Sequence, residues 1–123
     1  MNETGRSEIF VVDDDQGILD SFDAMLGDDY PLVMLNDSRE ALTLMCERKP
    51  RLLFLDIKMP GMNGIEFLEH VQHCGVSSTK IVIVTAVAQD HYEEMARNYG
   101  VYQYLRKPLD VDEIESITKT VLH

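Results

Sequence analysis

Five times along this chain a short apolar run gives way to a polar turn and then to apolar residues at helical spacing. The runs are Glu8–Val12, Leu32–Leu35, Leu52–Leu55, Lys80–Val84 and the more mixed Tyr102–Arg106. Short apolar runs bounded by turn signals read as buried strands. Behind them, Ile18/Leu19/Phe22/Met25/Leu26, Ala41/Leu42/Met45, Ile65/Leu68/Val71, Met95/Ala96/Tyr99 and Ile114/Ile117/Val121 predict five amphipathic helices. Asp37 with Glu40 three residues on resembles a capping box, and Asn63–Glu66, Asp90–Glu93 and Asp110–Glu113 repeat the pattern at later helix starts. Pro31 suits the first residue of a strand, and Gly75 and Gly100 close the third and fourth helices. Strands alternating with helices predict an α/β fold, a single parallel sheet covered on both faces, with right-handed crossovers.

A chain of 123 residues holds one core and one domain. The polar N-terminus, residues 1–7, reads as a loose leader without the apolar stretch of a secretory signal. No apolar run approaches the roughly 20 residues of a membrane span. A net charge of −11 repels nucleic acid, so direct DNA or RNA binding by this domain is not expected, nor is membrane attachment. Cys46 and Cys74 lie far apart with no CxxC pair. Two free, half-buried thiols are the favoured reading over a disulfide, and with no export signal they point to the reducing cytoplasm.

The chemistry lies at the carboxyl ends of the strands. Asp13 and Asp14 come directly after the first, Asp56 after the third, Thr85 after the fourth and Lys107 after the fifth. In a parallel sheet these ends share one edge, and open α/β sheets bind ligands there. If the strand order is 2-1-3-4-5, the first and third strands are neighbours and the three carboxylates meet. At an effective dielectric of about 20, two carboxylates about 4 Å apart repel by roughly 4 kcal/mol. Lys107 offsets one charge, and a divalent ion offsets more. Hard oxygen donors without sulfur or imidazole suit Mg²⁺, with Mn²⁺ as a substitute, and argue against zinc or copper. Carboxylates, a hydroxyl and an ammonium together form a cradle for a transferring phosphoryl group, with a carboxylate as nucleophile. Taken singly, each residue is more often a cap, a strand-end residue or a solvated charge; the joint placement reverses those odds.

The motifs VVDDD (Val11–Asp15), LDIKMPGMNG (Leu55–Gly64), VTA (Val84–Ala86) and YLRKP (Tyr104–Pro108) resemble those of the receiver domain of two-component response regulators, from about Glu8 to the end of the chain. The resemblance implies a flavodoxin-like doubly wound sheet of order 2-1-3-4-5 over residues 8–123. It implies Asp56 as phosphoacceptor and Mg²⁺ held by Asp13, Asp14, Asp56 and the Lys58 backbone carbonyl. It implies Thr85 and Lys107 as the phosphate-sensing pair, Tyr104 as an aromatic switch, and a Lys107–Pro108 peptide that is usually cis. The implied partners are a sensor histidine kinase or phosphotransfer protein upstream and a downstream protein or fused effector. The domain would catalyse only its own phosphoryl gain and loss, and signal through the face formed by its fourth helix, fifth strand and fifth helix. Tyr102 and Gln103 stand where receivers of the winged-helix class carry acidic residues before the switch aromatic, which weakens the expectation of their dimer. Val87 and Lys58 occupy positions that influence how water reaches the acyl phosphate, and Val87 is expected to shield it. The chain's end at His123 fits either a single-domain regulator or a receiver excised from a longer protein.

Three rivals have distinct tests. In a haloacid-dehalogenase-like phosphatase, Asp13 and Asp15 would be nucleophile and acid; turnover of a simple phosphate ester would favour it. A receiver fold docking without phosphate would leave the acidic set unused. An FMN binder would have to seat its phosphate against Asp13–Asp15. His70 and His73, an i,i+3 pair, read as a solvated helix face, and the seven Met residues as adaptable packing. Tyr99, Tyr102 and Tyr104 divide evenly between core packing and a partner surface.

Overall fold

A computed structural model describes residues 8–59, 61–74, 78–86 and 90–123. The expected leader, Pro60, Gly75 and Val87 lie outside these residues. The strands are β1 (Ile9–Val12), β2 (Leu32–Leu35), β3 (Leu52–Leu55), β4 (Lys80–Thr85) and β5 (Gln103–Arg106). The helices are α1 (Gln16–Leu26), α2 (Ser38–Arg48), α3 (Gly64–Gln72), α4 (Asp90–Arg97) and α5 (Val111–Leu122). The sheet is parallel throughout, in the order β2-β1-β3-β4-β5.

Side chains alternate across a strand, so each central strand feeds two cores. Phe10, Val12, Leu53, Leu55 and Ile83 point to the face covered by Ala41 and Met45 of α2, Phe67, Leu68 and Val71 of α3, and Ala96 of α4. Ile9, Val11, Leu52, Phe54, Val82 and Val84 point to the opposite face, against Leu19, Phe22 and Leu26 of α1 and Ile114, Ile117 and Val121 of α5. Phe22 and Phe54 stack at 4.8 Å between centroids. Because β1 and β3 are buried on both faces, their sequences are continuously apolar rather than alternating.

Polar side chains fix where the helices begin. Asn63 and Glu66 close both halves of a capping box at α3. Asp37 accepts from the backbone N–H groups of Arg39 and Glu40, and Asp110 from that of Glu113. α1 is capped by Asp15, whose carboxylate accepts from the Gly17 N–H at 2.9 Å. α3 ends at Gln72.

The reading of Cys46 and Cys74 as free thiols is corrected: the structure bonds the two sulfurs. α2 and α3 lie side by side on one face, and their C-terminal ends bring the two Cα atoms to 5.5 Å. That proximity is a property of helix packing, invisible in the spacing of the cysteines. The thiols therefore no longer argue for a reducing compartment.

Candidate functional site

The strand register assembles the site. Val12 is level with Leu35 on one side and Leu55 on the other, and Leu55 with Ile83. The next residues continue the ladder. Asp13 N–H donates to Leu35 O and Asp56 N–H to Val12 O, each at 3.0 Å, while Lys107 N–H donates to Thr85 O at 2.9 Å. Asp13, Asp56, Thr85 and Lys107 thus stand on one edge of the sheet because their backbones are still hydrogen-bonded into it.

Asp13, Asp14 and Asp56 each offer a carboxylate oxygen to a group lying within 4.8 Å of one another. Asp13 and Asp56 are buried, at 3% and 5% exposure, and Asp14 is exposed, so the cluster opens to solvent on one side. The Lys107 ammonium is 2.9 Å from Asp13 Oδ2 and 3.7 Å from Asp56 Oδ2. Among the described residues, the Lys107 ammonium thus lies against both buried carboxylates of the cluster. Burial and the Asp13 carboxylate push the Asp56 pKa up to about 6; Lys107 and a hydrogen bond from the Lys58 backbone pull against that rise without cancelling it, and Asp14 adds to it. Burial alone would lower the Lys107 pKa, but its hydrogen bond to Asp13 and the charges of Asp56, Asp13 and Asp15 outweigh that and hold it above its ordinary value.

Thr85 is fully buried at the end of β4. Tyr104, two residues into β5, is half-buried against the core face of α2, α3 and α4. Its hydroxyl is buried with no hydrogen-bond partner among the described residues. Burial raises its pKa, and Glu93 raises it further against the opposing charge of Arg106. Beside it, a 280 Å³ pocket opens between α4 and β5, lined by Glu93, Arg97, Tyr102 and Tyr104 among others. The Lys107–Pro108 peptide is cis.

The tyrosines divide. Tyr99 and Tyr104 pack on the core, whereas Tyr102 is 40% exposed, with the Lys80 ammonium 5.9 Å from its ring centre. His70 and His73 are both exposed. Asp15, which a phosphatase would need as its second acid, is committed to the α1 cap, and its backbone N–H donates to Asp13 Oδ1 at 2.9 Å.

Two supports were not legible as such in the sequence. Gly64 N–H donates to Ile57 O at 2.7 Å, and a Cβ at Gly64 would lie 2.7 Å from Ile57 Cα and 3.0 Å from Asp56 O. The turn-rich PGMNG segment signals glycine but not this close approach. Ser38, at the start of α2, donates its hydroxyl to Met62 O at 2.7 Å and so ties α2 to the β3–α3 loop. A serine at a helix start reads from sequence as local, not as a long-range tie.

The sequence profile of the family described as response regulator receiver domain matches residues 9–119. Sporulation initiation phosphotransferase F of Bacillus subtilis is 29% identical over 123 residues, covering 99% of this chain and 95% of that protein. The DNA-binding response regulator MtrA of Mycobacterium tuberculosis is 31% identical over 113 residues, which are 91% of this chain and 49% of MtrA. This chain thus spans nearly all of the first relative and about half of the second. A receiver domain protein of Methanospirillum hungatei superposes with a TM-score of 0.85 at 30% identity, covering 94% of each chain. The receiver domain of an HD domain-containing protein from Pseudomonas fluorescens superposes at 0.86 with 29% identity, over 95% of this chain and 94% of that one.

Proposed function

The chain belongs to the response regulator receiver domain family, and from that premise we propose that it is a phosphorylation-operated switch whose phosphoacceptor is Asp56. The observation that carries this is the meeting of Asp13, Asp14 and Asp56 within 4.8 Å, with the Lys107 ammonium 2.9 Å from Asp13 and 3.7 Å from Asp56. Three hard-oxygen donors, two of them buried and underneutralised, fit a divalent cation of the Mg²⁺ type. Asp13, Asp14, Asp56 and the Lys58 carbonyl would hold it. When bound, Mg²⁺ supplies positive charge to phosphoryl oxygens and lowers the cost of bringing an anion to this edge.

The donor is the phosphohistidine of a sensor kinase or phosphotransfer protein. An Asp56 carboxylate oxygen attacks phosphorus in line; the new P–O bond forms as the P–N bond breaks, and the leaving imidazole takes up a proton. A pKa of about 6 leaves Asp56 largely ionised at neutral pH, as a nucleophile requires. Lys107, held by Asp13, is placed to pair with an oxygen of the incoming group. The Thr85 hydroxyl donates to another, and its displacement admits Tyr104 to a more inward position. The Tyr104 hydroxyl, buried and without a hydrogen-bond partner among the described residues, supports a side chain that is free to change position. The result is a shift between two arrangements of the α4-β5-α5 face, read by a downstream protein or a linked effector domain. The domain turns over no outside metabolite and works in the cytoplasm, where its kinase presents the phosphoryl group. The phosphotransferase among its relatives and the DNA-binding regulator, half of which it spans, support a phosphorelay role with the output made elsewhere.

The experiment is intact mass after incubation with acetyl phosphate, with and without Mg²⁺, beside Asp56→Asn. One phosphoryl adduct requiring both Mg²⁺ and Asp56 is expected. A folded, Mg²⁺-binding protein that gains no adduct and forms no beryllofluoride complex would instead be a phosphate-independent docking module.

A further inference from the structure

We propose that Cys46 and Cys74 are a reversible redox modification site, a thiol pair that closes into an intramolecular disulfide around the segment carrying Asp56. This does not depend on the phosphoryl-transfer reading. Cys46 lies in the last turn of α2 and Cys74 just beyond the end of α3. In the bonded pair the Cα separation of 5.5 Å falls in the middle of the range a disulfide spans, so the bridge is compatible with the packing of the two helices. Both residues are half-buried rather than sealed in the core, and Cys74 Sγ also approaches His70 O at 3.7 Å in an exposed setting. Small thiols and disulfides can reach sulfurs so placed, and accessible disulfides are the exchangeable ones.

The sequence separation is 28 residues, and the closed loop contains β3, Asp56, Lys58 and all of α3. The same helices already meet at their other ends. Ser38 of α2 binds Met62 O, and Gly64 of α3 binds Ile57 O, so both hold the β3–α3 loop beside Asp56. Oxidation adds a covalent tie at the opposite end. α2 and α3 are then fastened at both ends, and thiol redox state is coupled to the rigidity of the segment between them.

The oxidant class is a low-molecular-weight disulfide such as oxidised glutathione. One cysteine thiolate attacks it, forming a mixed disulfide and releasing one small thiolate. The second cysteine thiolate attacks the protein sulfur of that mixed disulfide and releases the other. Two electrons pass to the small disulfide, and the protons of the two cysteine thiols end on the two released thiolates. Excess reduced glutathione runs the sequence backwards.

The test equilibrates the whole chain in glutathione buffers from reducing to oxidising, traps remaining thiols with N-ethylmaleimide and reads intact mass and melting temperature. Cys46→Ser and Cys74→Ser are run beside it. The expected result is a monomer with no maleimide adduct in oxidising buffer, two adducts after return to reducing buffer, and a melting temperature about 10 °C higher for the bridged form. Either serine variant should melt cooperatively at one temperature in both buffers. Persistent thiols in the most oxidising buffer, glutathione adducts alone, or a dimer linked between chains would overturn the proposal. A bridge that survives excess reduced glutathione in the folded protein would also overturn it, since the bond would then be permanent.

Discussion

Asp56 carries the main electrostatic conflict of the molecule. Its carboxylate is buried beside Asp13, and its folded pKa of about 6 lies above the ordinary 3.8. The folded state holds that proton more tightly than the unfolded chain. This group's contribution therefore favours folding below about pH 4 and is lost as pH rises through about 6. In metal-free protein near pH 7.5, Asp56→Asn should stabilise the fold by about 1–2 kcal/mol, a figure discounted because water reaches the open side of the cluster. Thermal melts check this, and the gain should shrink in Mg²⁺, which stabilises the wild type more than a variant short of one carboxylate ligand. Lys107→Met should act oppositely, destabilising the metal-free protein by about 1–3 kcal/mol because Asp13 and Asp56 are left buried without their cation. A Lys107→Met protein as stable as wild type would show that solvent already screens the pair. The members of this cluster could be read from the sequence because each comes directly after an apolar run, and strand ends are visible there. The disulfide was not legible, since it depends on how two helices pack.

Helix starts were among the clearest features, because a cap is a local hydrogen bond between residues two or three apart. Asp37, Asn63 and Asp110 all perform the capping their spacing announces. At α1 three consecutive aspartates competed, and only the fold shows that Asp13 stays in the ladder while Asp15 turns to cap. Asn63→Ala should cost about 1 kcal/mol in denaturant unfolding, since α3 loses one half of its capping box outright and the other half loosens. Gly64→Ala should cost more, about 1–3 kcal/mol, although Ala is the better helix former. Its Cβ would meet Ile57 Cα at 2.7 Å, a backbone contact that can be relieved only by moving the loop next to Asp56. If Gly64→Ala also slows labelling by acetyl phosphate while Asn63→Ala does not, the close approach serves the site and not just the helix.

At the scale of the whole molecule, the sheet separates two regions. The carboxylate cluster lies at the edge where β1 and β3 end, whereas Tyr104 and the pocket beside it lie toward α4 and β5. The topology was legible because five strand–helix repeats leave few ways to wind a parallel sheet, and the family resemblance chose among them. The tie from Ser38 of α2 to Met62 O was not, because it depends on how separate elements pack. Thr85 sits between these regions, fully buried, with its carbonyl accepting from Lys107 N–H. In the proposed switch, coupling through Thr85 can therefore be separated from chemistry at Asp56. In two-dimensional NMR spectra, beryllofluoride with Mg²⁺ should shift backbone resonances around Asp13, Asp56 and Lys107 and also those of α4 and β5. In Thr85→Ala the first set should still move, because the carboxylates and Lys107 remain, while the second set should stay near its resting positions. Because a ligand shifts an equilibrium only by its differential affinity for the two states, losing the hydroxyl contact lowers that difference without abolishing binding. Full displacement of α4 and β5 resonances in Thr85→Ala would show that the signal reaches this face by another route, through Lys107 and the start of α5.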